Sequence, residues 1–412
     1  MTSGQVPSLR VEFGDTVMTA RLRADRGYEA DLRRLALRFR SSIQRSPSTM
    51  DVEIDDLLTN LVALAAWPAI QSVTWDPQLA ALAADSAADA QTVARRLDSG
   101  DASEDEVRPW GIPDRLGPNW VGNLTGFQRR DISKLLALRH GANFSVPGAG
   151  KTRVGLAIFE ALRHAGRVQR LLIVGPKSCY DAWHDENEEC LAEPLQMGIF
   201  ARPFDPAADA LIINYERLEG ALNELGAWLA DRPSMLLLDE AHRMKLGAEG
   251  TYGAACLALG PRAKHRLILT GTPAPNGVKD LENLFSFVWP GHGRQKVIQA
   301  LAGGDLAEAS RVLKPLFSRT TKTELGLPPA TTTLRQLAMP PLHQEIYQAL
   351  LGRFSGRVAD AADDLQAIGK IVVYMLMAAT SPALLSVGTT RYEPLMYQVP
   401  RSQSRTAPPS RR

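Results

Sequence analysis

The chain has 412 residues, which is enough for two or three domains that each bury a core of their own. Hydrophobic residues make up 45% of the chain and charged residues 22%, a composition typical of an ordinary soluble globular protein. The formal net charge of +2 is too small to indicate a nucleic-acid partner, so any such function has to be argued from local motifs.

The cysteines and the apolar runs bear on the location of the protein. Cys179, Cys190 and Cys256 form no CxxC pair, and their odd number and spacing match neither a zinc site nor a disulfide framework. The N-terminus lacks the basic start and apolar centre of a signal peptide, and the most apolar run, residues 371–379, has about half the length that spans a bilayer. We therefore expect a protein of a reducing cytoplasm without a membrane partner.

Residues 1–118 are predicted to form an accessory domain that ends in a linker. The first segment, residues 9–22, alternates apolar and polar residues, which predicts a half-buried hairpin. Helical spacing follows in residues 27–40, 51–67 and 77–97, so we expect a mostly helical domain, with a small α+β domain as the alternative. Residues 98–120 are rich in Asp, Gly, Ser and Pro, as linkers are.

Four arginines of this region form a basic group: Arg33, Arg34, Arg38 and Arg40. They could touch the phosphates of a nucleic acid, but a basic helix face is more often solvated surface. The region contains no other candidate chemistry.

Residues 119–335 alternate short apolar runs with helix-length segments. Such runs, each followed by a loop and a helix, predict an α/β fold: a parallel sheet covered by helices on both faces. Ligands of such sheets bind at the carboxyl ends of the strands. The predicted strands are residues 142–146, 170–175, 210–214, 234–239 and 265–271.

The segment SVPGAGKT, residues 145–152, is a phosphate-binding loop between a predicted strand and a predicted helix. Gly148, Ala149 and Gly150 are expected to turn their backbone amides toward a phosphate at the positive end of the helix. Ser145 replaces the first glycine of the GxxxxGK[ST] pattern. Because this position lies on the strand side, away from the phosphates, its loss need not abolish binding.

The last two residues of the loop carry the groups that would act on ATP. Lys151 would reach the β- and γ-phosphates, and the Thr152 hydroxyl would ligate Mg²⁺. Downstream, Asp239 ends a predicted buried strand, where a carboxylate is costly to desolvate unless it faces a cation, so it is the expected second magnesium ligand. Glu240 is the expected general base, because it can polarise the attacking water.

Residues 235–242, MLLLDEAH, complete this acidic motif. His242 could couple the site to motion elsewhere, although an isolated histidine is more often structural. Together the loop and the acidic pair are specific for a nucleoside-triphosphate hydrolase. Neither motif indicates what the released energy does.

In their order, these motifs resemble the first motor lobe of Swi/Snf-like ATPases in helicase superfamily two, over about residues 121–386. LTGFQRRDISKLL is similar to the glutamine motif, which implies that Gln128 reads the adenine edge and that Phe127 packs near the base. The remaining motifs are matched by LLIVGPKSCYDAWHDE with Pro176 and Trp183, ALIINYERL, LLLDEAHRMK with Arg243 and Lys245, RLILTGTPAPNGVKDLENLFSFVWPG with Asn276, and LFSRTTKTELGLPPATTTL with Arg319 and Lys322.

The resemblance implies a RecA-like lobe that uses ATP and Mg²⁺ in a DNA-stimulated, helicase-like translocase. In such motors Thr270, Gly271 and Thr272 form a turn between the nucleotide and the nucleic acid, whose hydrogen bonds can change between states. The lobe grips one strand of double-stranded DNA through its phosphates, without sequence choice. RNA as the track is not excluded by the motif chemistry. The contact candidates are Pro176, Lys177, Ser178, Asn214, Tyr215 and Thr272.

Residues 339–354 and 371–385 resemble the segment that leads into the family's second lobe, so we expect a helical segment over 336–388. Residues 389–412 show no strand or helix period and are expected to be a disordered tail. We therefore expect a chain without a second lobe. The end is interpreted as frameshifted or truncated, with an RNA- or DNA-binding basic tail as the alternative.

The absent lobe bears on the expected activity. Since the family's arginine fingers lie in that lobe, the chain alone is expected to bind ATP weakly, to hydrolyse it poorly and not to translocate. A partner polypeptide that carries the lobe could restore activity. The leading hypothesis is a translocase of bacterial or phage-associated origin. A regulatory protein that binds ATP or DNA without turnover is the alternative. A metabolic kinase is disfavoured, because no phosphate-acceptor site is evident and the DEAH and TGTP motifs have no role in one.

Overall fold

The structure is a computed structural model that describes residues 8–99, 108–328, 332–336, 338–360 and 365–380. The chain divides into two compact units, the first of which ends at Leu327 and the second of which begins at Pro328. Within the described ranges, no helix is both long enough and apolar enough to cross a membrane.

The described ranges contain strands β1 to β12 and helices α1 to α16. In chain order the strands are Leu9–Phe13, Thr19–Ala24, Ile43–Ser46, Thr49–Glu53, Val73–Trp75, Gly141–Asn143, Arg170–Val174, Met197–Ile199, Ala210–Ile213, Ser234–Asp239, His265–Leu269 and Phe317–Ser318. The helices are Glu29–Ala36, Ile54–Thr59, Leu61–Leu64, Pro77–Ser99, Ile112–Leu116, Gly126–Leu138, Lys151–His164, Tyr180–Cys190, Tyr215–Leu218, Leu222–Asp231, Thr251–Leu259, Val278–Val288, His292–Leu301, Leu306–Val312, Pro341–Asp360 and Leu365–Thr380.

The N-terminal region is built on a five-stranded mixed sheet with the order β3-β4-β2-β1-β5. The hairpin expected over residues 9–22 is confirmed as the antiparallel pair β1 and β2, with Leu9, Val11 and Leu22 buried on the inner face. The region is therefore a mixed sheet with helices, in which helical residues outnumber strand residues. The segment 51–67 starts as strand β4 before it becomes helical, and edge strand β3 is so exposed that its residues show no alternation.

The second sheet has seven strands, all paired in parallel, in the order β12-β6-β11-β10-β7-β9-β8. All five strands predicted for this region are confirmed. Strands β7, β9, β10 and β11 are buried along their whole length, as expected for a sheet that helices cover on both faces. The additional strands β8 and β12 have only 3 and 2 residues, too few for an apolar run to reveal them.

A buried ionic cluster joins α4 of the N-terminal region to the second sheet. The guanidinium of Arg266, on β11, donates to Asp89 Oδ2 of α4 at 2.7 Å, and His140 Nε2 lies 3.1 Å from the same carboxylate. Burial opposes the ionisation of Asp89, but the hydrogen bond with His140 and the charges of Arg266 and Arg139 lower the pKa of Asp89 below its usual value. Burial and Arg266 lower the pKa of His140 to about 3. The cluster is therefore an Asp89–Arg266 ion pair beside a neutral histidine at neutral pH.

The second unit contains α15 and α16, which pack together through Ile346, Leu350 and Ala378. These helices agree with the helical character expected over residues 336–388. Residues 381–388 and the tail expected over 389–412 lie outside the described residues. The predicted domain boundaries at 118, 335 and 388 stay predictions.

Candidate functional site

The phosphate-binding loop lies between β6 and α7, as predicted. Gly148 and Gly150 have φ values of 85° and 72°, in the left-handed region that favours glycine. A Cβ atom at Gly148 would meet no other atom within 4 Å, so that side of the loop is open. Helix α7 begins at Lys151, directly after the loop, and its amino terminus favours an anion. The loop therefore fits a phosphate group.

Lys151 is half-buried and bonds to its own loop. Its ammonium group donates to the carbonyl oxygens of Ser145 at 3.1 Å and Val146 at 3.4 Å. Thr152 follows in the first turn of α7, also half-buried. The lysine is thus held beside the loop, where exchange of two carbonyl partners for a phosphate would strengthen its hydrogen bonds.

Gln128 links the start of α6 to the loop. Its Oε1 accepts from the backbone amide of Thr125 at 2.9 Å in a capping box, and its Nε2 donates to the carbonyl of Ala149 at 3.3 Å. A Cβ atom at Gly150 would lie 2.4 Å from this Nε2, so the close approach adds a second reason for glycine there. The side chain supports the loop, and adenine recognition by Gln128 stays a prediction.

Asp239 ends β10 with 6% of its surface exposed. Its Oδ2 accepts from the indole Nε1 of Trp183 at 3.0 Å, and its Oδ1 accepts from the amide of Glu240 at 2.9 Å. Burial raises the pKa of Asp239 above its usual value, although the bonds from Trp183, the Glu240 amide and the Cys179 thiol oppose this. A divalent cation would offset the desolvation of this carboxylate, so the residue fits the expected magnesium ligand.

Tyr215 and Asn214, two of the predicted contact residues, are buried. Tyr215 is 1% exposed, and its hydroxyl donates to the backbone carbonyl of Asp239 at 2.8 Å. Asn214 is 3% exposed, and its Nδ2 donates to Glu216 at 2.6 Å. Both side chains are therefore engaged within the protein, and their role as nucleic-acid contacts stays a prediction. Motif letters alone do not show this burial.

The other predicted nucleic-acid contacts differ in their exposure to solvent. Pro176 is buried, whereas Lys177 and Ser178 are exposed directly after β7. Thr272 is exposed after β11. The exposed residues therefore lie at the carboxyl edge of the sheet, beside the loop and the acidic motif.

Glu240 adopts a left-handed backbone conformation, with φ 48° and ψ 49°. Such a conformation is uncommon for a residue other than glycine and often marks a functional position. The Glu240 carboxylate lies 3.2 Å from Nδ1 of His242, and the same Nδ1 lies 3.3 Å from the hydroxyl of Thr270. The amide of Thr272 donates to this hydroxyl at 3.2 Å. These contacts form a continuous series from the expected general base to the exposed turn.

The turn at Gly271 also touches the phosphate-binding loop. A Cβ atom at Gly271 would lie 3.1 Å from the ring of Pro147, and the Thr270 amide donates to the Asn143 carbonyl at 3.1 Å. The three motifs that are separate in sequence thus meet at one edge of the sheet.

Two side chains near the site, Trp183 and Ser145, form supporting hydrogen bonds that the sequence did not predict. Trp183 was noted only as a motif position, yet it is fully buried and orients Asp239. Ser145 was noted only as a departure from a pattern, yet its side chain bonds to Asp131 and Thr320. No sequence signal identifies these partners, because each bond joins distant parts of the chain.

Residues 144–379, more than half of the chain, match the family profile described as SNF2-related domain. The chain belongs to the SNF2-related domain family. The resemblance to Swi/Snf-like ATPases is thereby confirmed, and the lobe described above is a Snf2-type ATPase domain of helicase superfamily two.

Similar proteins of this family come from several organisms. A Drosophila melanogaster homologue of the SWI/SNF-related regulator of chromatin containing DEAD/H box 1 is 23% identical over 306 residues, which cover 66% of this chain and 35% of that protein. The TATA-binding protein-associated factor MOT1 of Saccharomyces cerevisiae is 30% identical over 260 residues, 58% of this chain and 12% of MOT1. The chain thus spans about a third or less of the length of these relatives.

A solved structure is also similar. The Sulfolobus solfataricus SWI2/SNF2 ATPase core in complex with dsDNA aligns with a TM-score of 0.44 and 21% identity, over 66% of this chain and 61% of that one.

Proposed function

We propose that this chain is the first motor lobe of an ATP-dependent, DNA-stimulated translocase of Swi/Snf type. The observation that carries the proposal is the series of contacts from Glu240 through His242 to Thr270 and Thr272. It joins the acidic motif to an exposed turn, and a motor needs such a link between hydrolysis and its track. A nucleotide-binding protein without motor function has no need of it.

The chain's own residues have separable roles in this proposal. The amides of the loop and the ammonium of Lys151 bind the phosphates of ATP, while Thr152 and Asp239 would hold Mg²⁺. The metal supplies neutralisation of phosphate charge when bound. Trp183 keeps the Asp239 carboxylate oriented, as groups around metal ligands do. Glu240 accepts the proton of the attacking water.

The proposed track is the phosphate backbone of double-stranded DNA. Lys177, Ser178 and Thr272 are exposed at the carboxyl edge of the sheet, where hydroxyl and ammonium groups can contact phosphates without reading bases. A relative named chromodomain-helicase-DNA-binding protein 8, from Danio rerio, is 25% identical over 241 residues and supports DNA as the partner. We also propose the cytoplasm of a bacterial cell, or of one infected by a phage, as the location.

A second RecA-like lobe is proposed to complete the site, whichever polypeptide carries it. Arginine fingers of that lobe contribute on the order of a thousandfold or more to phosphoryl transfer. The 412 residues alone are therefore expected to turn over ATP slowly, without stimulation by DNA.

The test measures ATP hydrolysis by residues 1–412 with Mg²⁺, with and without duplex DNA, and with and without a polypeptide that carries a Snf2-type second lobe. We expect stimulation on the order of a thousandfold only when DNA and the second lobe are both present, because the arginine finger comes from that lobe. Lys151→Ala should remove this stimulation. Replacing the DNA with single-stranded RNA tests which nucleic acid is the track.

Two outcomes would contradict the proposal. Strong DNA-stimulated turnover by the 412 residues alone would show that no second lobe is needed. Binding of ATP and DNA without turnover in the completed complex would favour the regulatory alternative.

A further inference from the structure

A buried polar cluster lies directly behind the phosphate-binding loop. At its centre is Asp131 of α6, which is 2% exposed. Its Oδ2 accepts hydrogen bonds from the hydroxyl of Ser145 at 3.1 Å, the hydroxyl of Thr320 at 2.9 Å and the amide group of Asn143 at 3.4 Å. The Ser145 hydroxyl in turn accepts from the backbone amide of Thr320 at 2.9 Å. Ser145 thus donates and accepts within one buried cluster.

Ser145 is the residue that departs from the common loop pattern. A glycine at this position could neither donate to Asp131 nor accept from Thr320, so the substitution installs two buried hydrogen bonds. The main chain follows the same path. The amide of Val146 donates to the carbonyl of Thr320 at 3.1 Å, and the amide of Phe144 donates to the carbonyl of Ser318 at 2.8 Å. The entry to the loop is therefore paired with the segment that follows β12.

The phosphate-binding lysine holds the same two residues. The Lys151 ammonium donates to the carbonyls of Ser145 and Val146, the residues that Thr320 holds from the other side. A phosphate that binds Lys151 therefore acts on a side chain that contacts the same two residues as Thr320.

On its far side the cluster continues into residues 318–324. Arg130 donates to the Thr320 hydroxyl at 3.0 Å and to the Arg319 carbonyl at 3.2 Å, and it also pairs with Glu324. Glu324 accepts from the amide of Thr321 at 2.7 Å. This segment carries the exposed Arg319 and Lys322, and the first unit ends three residues after Glu324, at Leu327.

We propose that Ser145 and Thr320 are positioning residues that couple nucleotide binding at the loop to the order of residues 318–324. The inference rests on the proposed binding of ATP, but it adds a connection that neither the loop pattern nor the acidic motif implies. A nucleotide that fixes the loop also fixes Ser145 and, through it, Thr320. Because coupling between two sites is reciprocal, loosening residues 318–324 weakens nucleotide binding by the same factor.

The test is amide hydrogen exchange on residues 1–412, with and without saturating Mg·ADP. In the unchanged chain, the nucleotide should slow exchange at the loop and at residues 318–324, by about fivefold or more at Thr320, the factor that one hydrogen bond provides. The variants Ser145→Gly and Thr320→Val are also measured with Mg·ADP at saturation. In both, the nucleotide should still slow exchange at the loop, but it should slow exchange at residues 318–324 by less than about twofold.

Two further variants separate coupling from general loss of stability. Thr320→Ser retains the hydroxyl and should restore the coupled protection. Ser234→Ala removes a buried hydroxyl that bonds to the Leu229 carbonyl at the amino end of β10, far along the strand from the site, and should leave the coupling unchanged.

The outcomes distinguish this inference from the proposed function. Binding with protection of the loop but not of residues 318–324 in the unchanged chain would overturn the inference and leave the function standing. Coupling that survives in both Ser145→Gly and Thr320→Val would also overturn it. Failure of the unchanged chain to bind Mg·ADP would overturn both.

Discussion

Glu240→Gln is expected to lower DNA-stimulated ATP turnover by about 10²- to 10⁴-fold, the contribution typical of a general base. The amide has the size of the carboxylate but cannot accept the proton of the attacking water. Nucleotide binding should stay within about threefold of the unchanged chain, because the phosphates are held by the loop and by Lys151. Single-turnover hydrolysis in the complex with a second lobe and DNA measures the effect.

A matched control is available nine residues further along the chain. Glu249→Gln changes an exposed glutamate outside the series from Glu240 to Thr270, and it should leave turnover unchanged. Turnover that survives in Glu240→Gln would assign the base to another group. A similar loss of nucleotide binding would show instead that the substitution disturbs the strained turn, where Glu240 has φ 48°.

Asp89→Ala is expected to lower the free energy of unfolding by about 3–5 kcal/mol, as removal of one partner from a buried ion pair does. The substitution leaves the buried guanidinium of Arg266 without its carboxylate at 2.7 Å, and it removes the ion pair between α4 and the strand that leads to Thr270. Urea denaturation of the 412 residues measures this change.

Two controls test the physical reason. Asp31→Ala breaks an ion pair with Arg34 whose arginine side chain is 76% exposed, and it should cost less than about 1 kcal/mol. The double variant Asp89→Leu with Arg266→Met removes both buried charges and should cost far less than the single change. A cost below about 1 kcal/mol for Asp89→Ala would contradict the view that this cluster fixes the N-terminal region to the second sheet.

The parallel sheet could be predicted because each of its main strands is a continuous apolar run, such as Leu236–Leu238 before Asp239. The phosphate-binding loop and the acidic pair could be predicted because their chemistry needs particular residues at fixed spacing. The burial of individual residues at the ends of strands could not be predicted, and neither could the hydrogen bond from the Tyr215 hydroxyl to the backbone carbonyl of Asp239.

The supporting hydrogen bonds could not be predicted for a different reason. Trp183 and Asp239 are 56 positions apart, and Ser145 and Thr320 are 175 positions apart. Only the fold brings such residues together, and a single sequence has no local pattern that relates them. The series from Glu240 to Thr270 could be predicted in part. Both ends were predicted to be functional, whereas His242 was predicted to have either a coupling role or a structural one.

Binding of a non-hydrolysable ATP analogue with Mg²⁺ to residues 1–412, measured by calorimetry, tests the central claim most directly. The account predicts magnesium-dependent binding that Lys151→Ala weakens by about tenfold or more, the effect of losing charge-assisted hydrogen bonds. Lys296→Ala, which changes an exposed lysine on α13, should bind like the unchanged chain. No binding by the unchanged chain, or equal binding by Lys151→Ala, would contradict the assignment of this loop as a working nucleotide site.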